Sequence, residues 1–198
     1  MRRLFSLTIK PIHEFTVALV SRLRLQGPWT TVRWLHTVGL AWLTGRISLR
    51  FTKITPNIYI GPQYGRYGKV GLEKAGVTAT MSLRAEFDDE AHGLSMKEYS
   101  YLPTVDNTPP SLKHIEEGVS FIRNVVKRDG IIYVHCGSGV GRAPTMVAAY
   151  LIAEGAATDD AIEQIRKVRP FVRVLPSQRE RLVEYEDYLR SQAAEVAS

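Results

Sequence analysis

From Asn57 onward, short apolar runs alternate with longer segments whose apolar residues return every three or four positions. The first pattern marks buried strands and the second marks helices that bury one face. Strands are expected at 57–60, 78–83, 99–102 and 131–135, and helices at 67–75, 111–128, 142–155, 158–168 and 177–193. Ser111 suits a helix N-cap, and Ile115, Val119, Ile122 and Val126 form one apolar stripe behind it. Asp129-Gly130 makes a turn, and Thr158, Asp159 and Asp160 open another helix. Met146 to Ala153 is almost wholly apolar, which places that helix in the middle of the fold. Strand–helix alternation predicts an α/β fold with a central, mostly parallel sheet of four to five strands and helices on both faces.

The pattern differs before Asn57. Pro28 and the stretch Arg50 to Thr55 are joints, so residues 1–50 read as a helical extension and 51–198 as the main domain. The chain carries a net +6, but residues 1–56 hold nine Lys/Arg against one acid, Glu14, for +8, which leaves −2 on the rest. Trp29, Trp34 and Trp42 are the chain's three tryptophans, and all fall in this basic segment. Basic charge with interfacial aromatics suits an anionic membrane surface. The uncharged runs Phe15 to Ser21 and Trp34 to Gly45 fall short of the ~20 apolar residues that a spanning helix needs. The opening MRRLFSLTIK suits either a transit peptide or the start of an amphipathic helix. A helix over 29–44 would gather Val32, Leu35, Val38 or Gly39, and Trp42 on one face. That face has two open destinations, a membrane or the domain's own core. A nucleic-acid platform is not expected, because aromatics are not interleaved with Lys/Arg.

The densest chemistry lies in residues 131–145, IIYVHCGSGVGRAPT, which contain Cys136, the single cysteine. A buried strand runs into His135-Cys136, then Gly137, Ser138, Gly139, Val140 and Gly141, then Arg142 at the start of the apolar helix. Successive N–H groups in a tight glycine turn form an anion nest. The helix N-terminus adds unpaired N–H groups and its positive dipole end. Gly137, Gly139 and Gly141 allow close backbone approach, and Arg142 offers a planar fork for two phosphate oxygens. A thiol in this field is a nucleophile for phosphoryl transfer. A cysteine six residues before an arginine means little alone; His-Cys-x-x-Gly-x-x-Arg between a buried strand and a helix is far more restrictive.

His-Cys-Gly-Ser-Gly-Val-Gly-Arg resembles the signature of the cysteine-dependent protein tyrosine phosphatase superfamily, in its dual-specificity branch. The resemblance covers roughly residues 52–190. It is nearest the mitochondrial phosphatidylglycerophosphate phosphatase group, through ITPNIYIGP, YLPTVDNTPP, YVHC, TMVAAYLI and RVLPSQRERLVEY. It implies Cys136 as nucleophile, Arg142 as phosphate clamp, residues 137–141 as phosphate-binding backbone and His135 as the residue that orders the loop. Most members carry Ser or Thr after the arginine, whereas here Ala143 and Pro144 follow, as in plant glucan phosphatases. That departure implies slow turnover of the phospho-enzyme, or compensation by the hydroxyl of Ser138 or Thr145. The lipid phosphatases also tend to carry a cation inside the loop, and residues 137–141 are neutral.

Expulsion of an alkoxide needs a proton donor, and such help is worth roughly 10²–10⁴-fold. Asp106 is the candidate, in a loop stiffened by Pro103, Pro109 and Pro110, where the family places its acid. Asp88, Asp89 and Glu90 read as a solvated loop that rims the site at most, and Gln178 as first-turn residue of the last helix or as a group that orients water.

Composition narrows the classes. Hydrophobic content of 44% and charged content of 23% suit one globular domain. A single cysteine excludes an intrachain disulfide and multi-thiolate zinc, and fits an intracellular, reducing compartment, cytoplasmic or peripheral on a membrane. No metal or other cofactor is expected, and the chain reads as a monomer. The expected function is hydrolysis of a phosphate monoester on a lipid headgroup, a protein or a glucan. A phospho-binding pseudophosphatase, suggested by Ala143, stays as the reading from another class.

Overall fold

The computed structural model describes Thr16 and residues 19–197; the opening ten residues, and with them the transit-peptide and amphipathic-helix readings, lie outside the described residues. β1 (Ile58–Gly61), β2 (Ala79–Arg84), β3 (Glu98–Thr104) and β4 (Ile132–His135) form one sheet in the order β1-β4-β2-β3, with every pairing parallel. The helices in chain order are α1 (Pro28–Trp34), α2 (Leu40–Thr44), α3 (Arg66–Lys74), α4 (Leu112–Val126), α5 (Arg142–Ala153), α6 (Thr158–Val168) and α7 (Pro176–Ala197). Parallel neighbours cannot be joined by a tight turn, so helices carry the crossovers and cover the sheet. From β1 to α6 the expected elements appear within two residues of their expected limits, while the last helix runs on to Ala197.

Strand alternation sorts the core into two layers. Ile58, Ile60, Ala79, Met81, Leu83, Ile132 and Val134 turn toward α4, α5, α6 and α7. Tyr59 and Tyr133 turn to the other side, where Leu72 of α3 packs with Tyr64, Val77, Leu94 and Met96. Ser111 caps α4 by accepting from the His114 N–H at 3.1 Å. α5 is buried from Arg142 to Ile152, as its unbroken apolar run requires. β4 and α5 therefore form the central strand–helix pair, and the loop between them opens at the C-terminal edge of the sheet, where such folds place ligands.

The segment before β1 folds back on this body. Residues 19–26 are helical, and a π-helical turn, Leu35–Gly39, joins α1 to α2. Trp34 and Val38 are buried against Val140 and Phe171. The Arg22 guanidinium lies 4.7 Å from the Trp34 ring and donates to the Phe171 carbonyl at 3.2 Å. The inward face differs from the expected one. Val32 and Trp42 are 55% and 54% exposed, and the buried positions are Thr31, Trp34, Thr37, Val38 and Ala41. The buried set keeps the ordinary three- and four-residue spacing of a helical stripe, at 31, 34, 38 and 41, but one position before the expected stripe, because the bulkier Trp34 docks on Val140 and Phe171. The outer face leaves Leu25, Trp29 and Leu43 at 73%, 80% and 87% exposure. Among the described residues, no helix is long and apolar enough to cross a membrane.

The two tryptophans should therefore differ in urea unfolding. Trp34→Ala is expected to cost about 3 kcal/mol through the cavity it opens. Trp29→Ala should stay within about 0.5 kcal/mol of the parent.

Candidate active site

Cys136 is the first residue past β4 and is 2% exposed. The loop turns back beneath it, and the Gly139 N–H donates to Cys136 Sγ at 3.3 Å. Among Gly137, Gly139 and Gly141, Gly139 alone uses a positive φ, at +64°. Its freedom is needed for contact as well: a Cβ there would lie 2.3 Å from the Gly61 carbonyl oxygen. Gly141 caps α5 with φ −119°, which any residue can adopt.

A second arginine, which the sequence reading missed, holds the loop from behind. Arg169, fully buried, donates from Nε to the Gly139 carbonyl at 2.7 Å, from Nη2 to Ser138 at 3.2 Å and from Nη1 to Phe51 at 2.9 Å. With their carbonyls turned back onto a guanidinium, these peptides are set by one charge. Burial lowers the Arg169 pKa to about 10. In the sequence Arg169 was indistinguishable from any last-turn cation of an amphipathic helix.

Arg142 begins α5 and reaches across the ends of two strands. Nη1 donates to the Leu83 and Thr104 carbonyls at 3.2 and 2.8 Å. Glu86 takes both nitrogens in a fork, at 2.9 Å from Nη1 and 3.0 Å from Nη2. Asp106 Oδ1 lies 2.9 Å from Nη2. The remaining Nε is buried and has no hydrogen-bond partner among the described residues. A buried guanidinium N–H without an acceptor is costly, and this one belongs to the residue that closes the anion nest. Burial opposes the Arg142 charge, but Glu86, then the charges of Cys136 and Asp106, raise its pKa. For Glu86, burial pulls upward, and the hydrogen bonds from Arg142 and Arg84 outweigh it and lower the pKa to about 2.

Asp106 is thus brought to Arg142 and stays 67% exposed. It follows β3 and precedes Asn107, whose φ of +62° turns the chain. Gln178 lies in the first turn of α7 and is buried. Its Nε2 donates to the Thr108 carbonyl at 3.1 Å, and its Oε1 accepts from the Leu175 N–H at 3.0 Å. It therefore braces the Asp106 loop. Thr145 donates its hydroxyl to the Gly141 carbonyl at 2.9 Å. That bond commits it to its own helix, so of the two hydroxyls considered in place of a residue-143 side chain, Ser138 is left.

The acidic run corrects another expectation. Asp89 is fully buried, not solvated, and its Oδ2 sits 2.6 Å from His135 Nε2, close in distance though bent in angle. Gln63 donates to Asp89 Oδ1 at 2.8 Å and receives Arg84 Nη1 at 3.0 Å. Burial pulls the Asp89 pKa upward, but His135 and Gln63 more than offset it, so its carboxyl lies below the usual range. Sequence spacing carried no sign of this pairing: 46 positions separate Asp89 from His135, and only the sheet brings them together.

The family comparison covers these residues. Residues 58–188 match the family described as dual specificity phosphatase, catalytic domain. The chain belongs to that family, and its sheet and helices are those of the α/β phosphatase fold. It is 40% identical over 95 residues to the rat phosphatidylglycerophosphatase and protein-tyrosine phosphatase 1, which covers 47% of this chain and 49% of the relative. It is 29% identical over 119 residues to mouse dual specificity protein phosphatase 2, covering 59% and 37%. The chain thus aligns with about half the length of the first of these relatives. Among solved structures, PTPMT1 in complex with PI(5)P superposes with a TM-score of 0.64 at 27% identity, covering 71% of this chain and 96% of that one.

The Glu86 contacts carry a pH signature. Its pKa falls from 4.5 to about 2 on folding. Its stabilising contribution is therefore complete above about pH 4.5 and lost as pH falls through about 2. The thermal stability gap between the parent and Glu86→Gln should be full at pH 5–8 and shrink toward pH 2; a gap constant over that range would show that Glu86 is not held as described.

Proposed function

We propose that the chain hydrolyses phosphate monoesters through a cysteinyl-phosphate on Cys136, and that its substrate is a phospholipid headgroup at a membrane surface. The observation that carries the chemistry is the buried, unpartnered Arg142 Nε at the end of the loop that cradles the Cys136 sulfur. A phosphoryl oxygen supplies the acceptor this group lacks. The backbone of Gly137, Ser138, Gly139, Val140 and Gly141 takes the other oxygens. Domain-wise, residues 51–197 form the catalytic body, and the described residues before them form a basic extension against it.

The steps follow from those positions. The Cys136 thiolate attacks phosphorus, and the S–P bond forms as the ester P–O bond breaks. Arg142 holds the equatorial charge. The incoming phosphoryl group takes the place of Asp106 at Nη2, and Asp106 protonates the departing alkoxide. Asp106, now ionised, takes a proton from water, which attacks the phosphocysteine and releases inorganic phosphate and the thiolate. His135, fixed by Asp89, holds the strand end from which Cys136 projects. Ala143 leaves the second step without the hydroxyl that most of the family has, so that step sets the rate.

Support for a lipid headgroup is the likeness to a protein named for phosphatidylglycerophosphatase activity and the outer face of the extension. Leu25, Trp29 and Leu43 stand out to solvent on a segment rich in arginine. A phosphoprotein or phosphoglucan substrate is the second reading, favoured by the neutral loop 137–141.

Cys136→Ser should abolish turnover of every substrate. Asp106→Asn should lower kcat/KM for alkyl phosphates about 10²-fold or more while lowering kcat/KM for p-nitrophenyl phosphate far less. Across phosphatidylglycerophosphate, phosphoinositide, phosphotyrosine peptide and phosphoglucan, the highest kcat/KM belongs to a lipid; a peptide or glucan in that place would overturn the lipid assignment alone. In sedimentation with anionic vesicles at low salt, Trp29→Ala with Leu43→Ser should cut the bound fraction several-fold without lowering kcat on p-nitrophenyl phosphate.

A further inference from the structure

Away from the catalytic cradle, a pocket of about 200 Å³ opens where the helical residues 19–26 meet the chain between α6 and α7. Ser21, Arg22, Leu25, Gln26 and Arg173 line it. Arg22 is fixed in place. Its Nη1 donates to Gln26 Oε1 at 3.0 Å and to the Phe171 carbonyl at 3.2 Å, and its guanidinium lies 4.7 Å from the Trp34 ring. Its Nε and Nη2 make no hydrogen bond among the described residues. Arg173 is anchored by its backbone N–H, which donates to the Val140 carbonyl of the catalytic loop at 2.9 Å. Its side chain is exposed and makes no ion pair or hydrogen bond among the described residues. With Gln26 Oε1 spent on Arg22, the groups left over at the pocket are donors.

The charge has one sign. Burial first, and then the charge of Arg173, lower the Arg22 pKa to about 10. Arg22 also acts on the fully buried Arg169, in the same direction as burial. Residues 19–26 and 169–175 contain no Asp or Glu, and neither Arg22 nor Arg173 has a carboxylate partner among the described residues. The contrast is with Arg84 and Arg142, which Glu86 and Asp106 answer. Two guanidinium groups brought together without a carboxylate repel, and an anion between them reverses the sign of that interaction.

We propose that this pocket is a second phosphate site, in which one phosphate group bridges Arg22 and Arg173 and clamps the N-terminal extension to the chain behind the catalytic loop. A tetrahedral dianion has oxygens enough for a guanidinium edge on each side and for the Gln26 amide. Leu25, 73% exposed, is the apolar rim of the pocket. The phosphate is either free in solution or the headgroup of a lipid whose chains lie along Leu25. The site does not involve Cys136 and does not depend on the reaction proposed above.

The full chain carrying Cys136→Ser, which turns over no ester, tests it. Its Tm is compared with those of its Arg173→Gln and Arg173→Lys derivatives, in inorganic phosphate and in chloride at equal ionic strength. The catalytic cradle is common to all three, so differences between them read the pocket. Phosphate should raise the Tm of the parent by a few degrees more than that of Arg173→Gln, with Arg173→Lys in between. In chloride, Arg173→Gln should melt no lower than the parent, because it removes a like-charge contact. Equal phosphate gains in all three would place the anion in the cradle alone and overturn the site. A lower Tm of Arg173→Gln in chloride with its phosphate gain intact would also overturn it, by making Arg173 structural. Sedimentation with phosphatidylcholine vesicles containing phosphatidic acid separates the sources. Binding that falls several-fold in Arg173→Gln and is competed by inorganic phosphate supports the site with a headgroup in it. Equal vesicle binding beside the Tm difference supports it with free phosphate.

Discussion

The side chain of Arg142 is the constraint around which the rest of the site is arranged. A guanidinium 2% exposed is stable only if most of its donors find acceptors. Those acceptors come from the end of β2 (Leu83), the end of β3 (Thr104) and the two connections that follow them (Glu86 and Asp106). A single helix-start residue thus fixes where two strands stop and which way their loops leave. The candidate acid, Asp106, is held 2.9 Å from Nη2 of this guanidinium.

Arg169 does the same work from the opposite side. Its three donors all go to backbone carbonyls, two of them in the catalytic loop. Turning those carbonyls back leaves the corresponding N–H groups free to face a ligand, and one of the loop N–H groups already meets the Cys136 sulfur. The loop lies between two buried cations, Arg142 and Arg169, and the second is bonded to its backbone. Gly139 is the residue that permits so close an approach to Gly61.

The segment before β1 shows how one stretch serves two surfaces. Trp34 and Val38 close a small core against Val140 and Phe171. This ties the extension to the residue before Gly141 and to the chain just past Arg169. The opposite face keeps its apolar side chains outside. The division is one of helix phase: Trp34 and Val38 turn inward, and Trp42 lies outside that stripe with its Nε1 3.5 Å from the Gly137 carbonyl.

Much of this was legible from residue order alone. Hydrophobic periodicity placed β1 through α6 within two residues of where they lie, since burial on both sides of a parallel sheet leaves an unbroken apolar signal. Cys136, Arg142 and the glycine loop were visible because neighbours along the chain form that cradle, and Asp106 because it lies on a proline-stiffened loop. Residue order by itself therefore determined the fold class and the nature of the chemistry. Only the tertiary structure decided that Asp89 is buried on His135, that Glu86 attends Arg142, that Arg169 stands behind the loop, and that Trp42 faces outward. Each of these is a contact between residues distant in sequence, or the phase of a helix. Buried charges find their partners through strand order and helix phase, and neither is written in the spacing of any one segment.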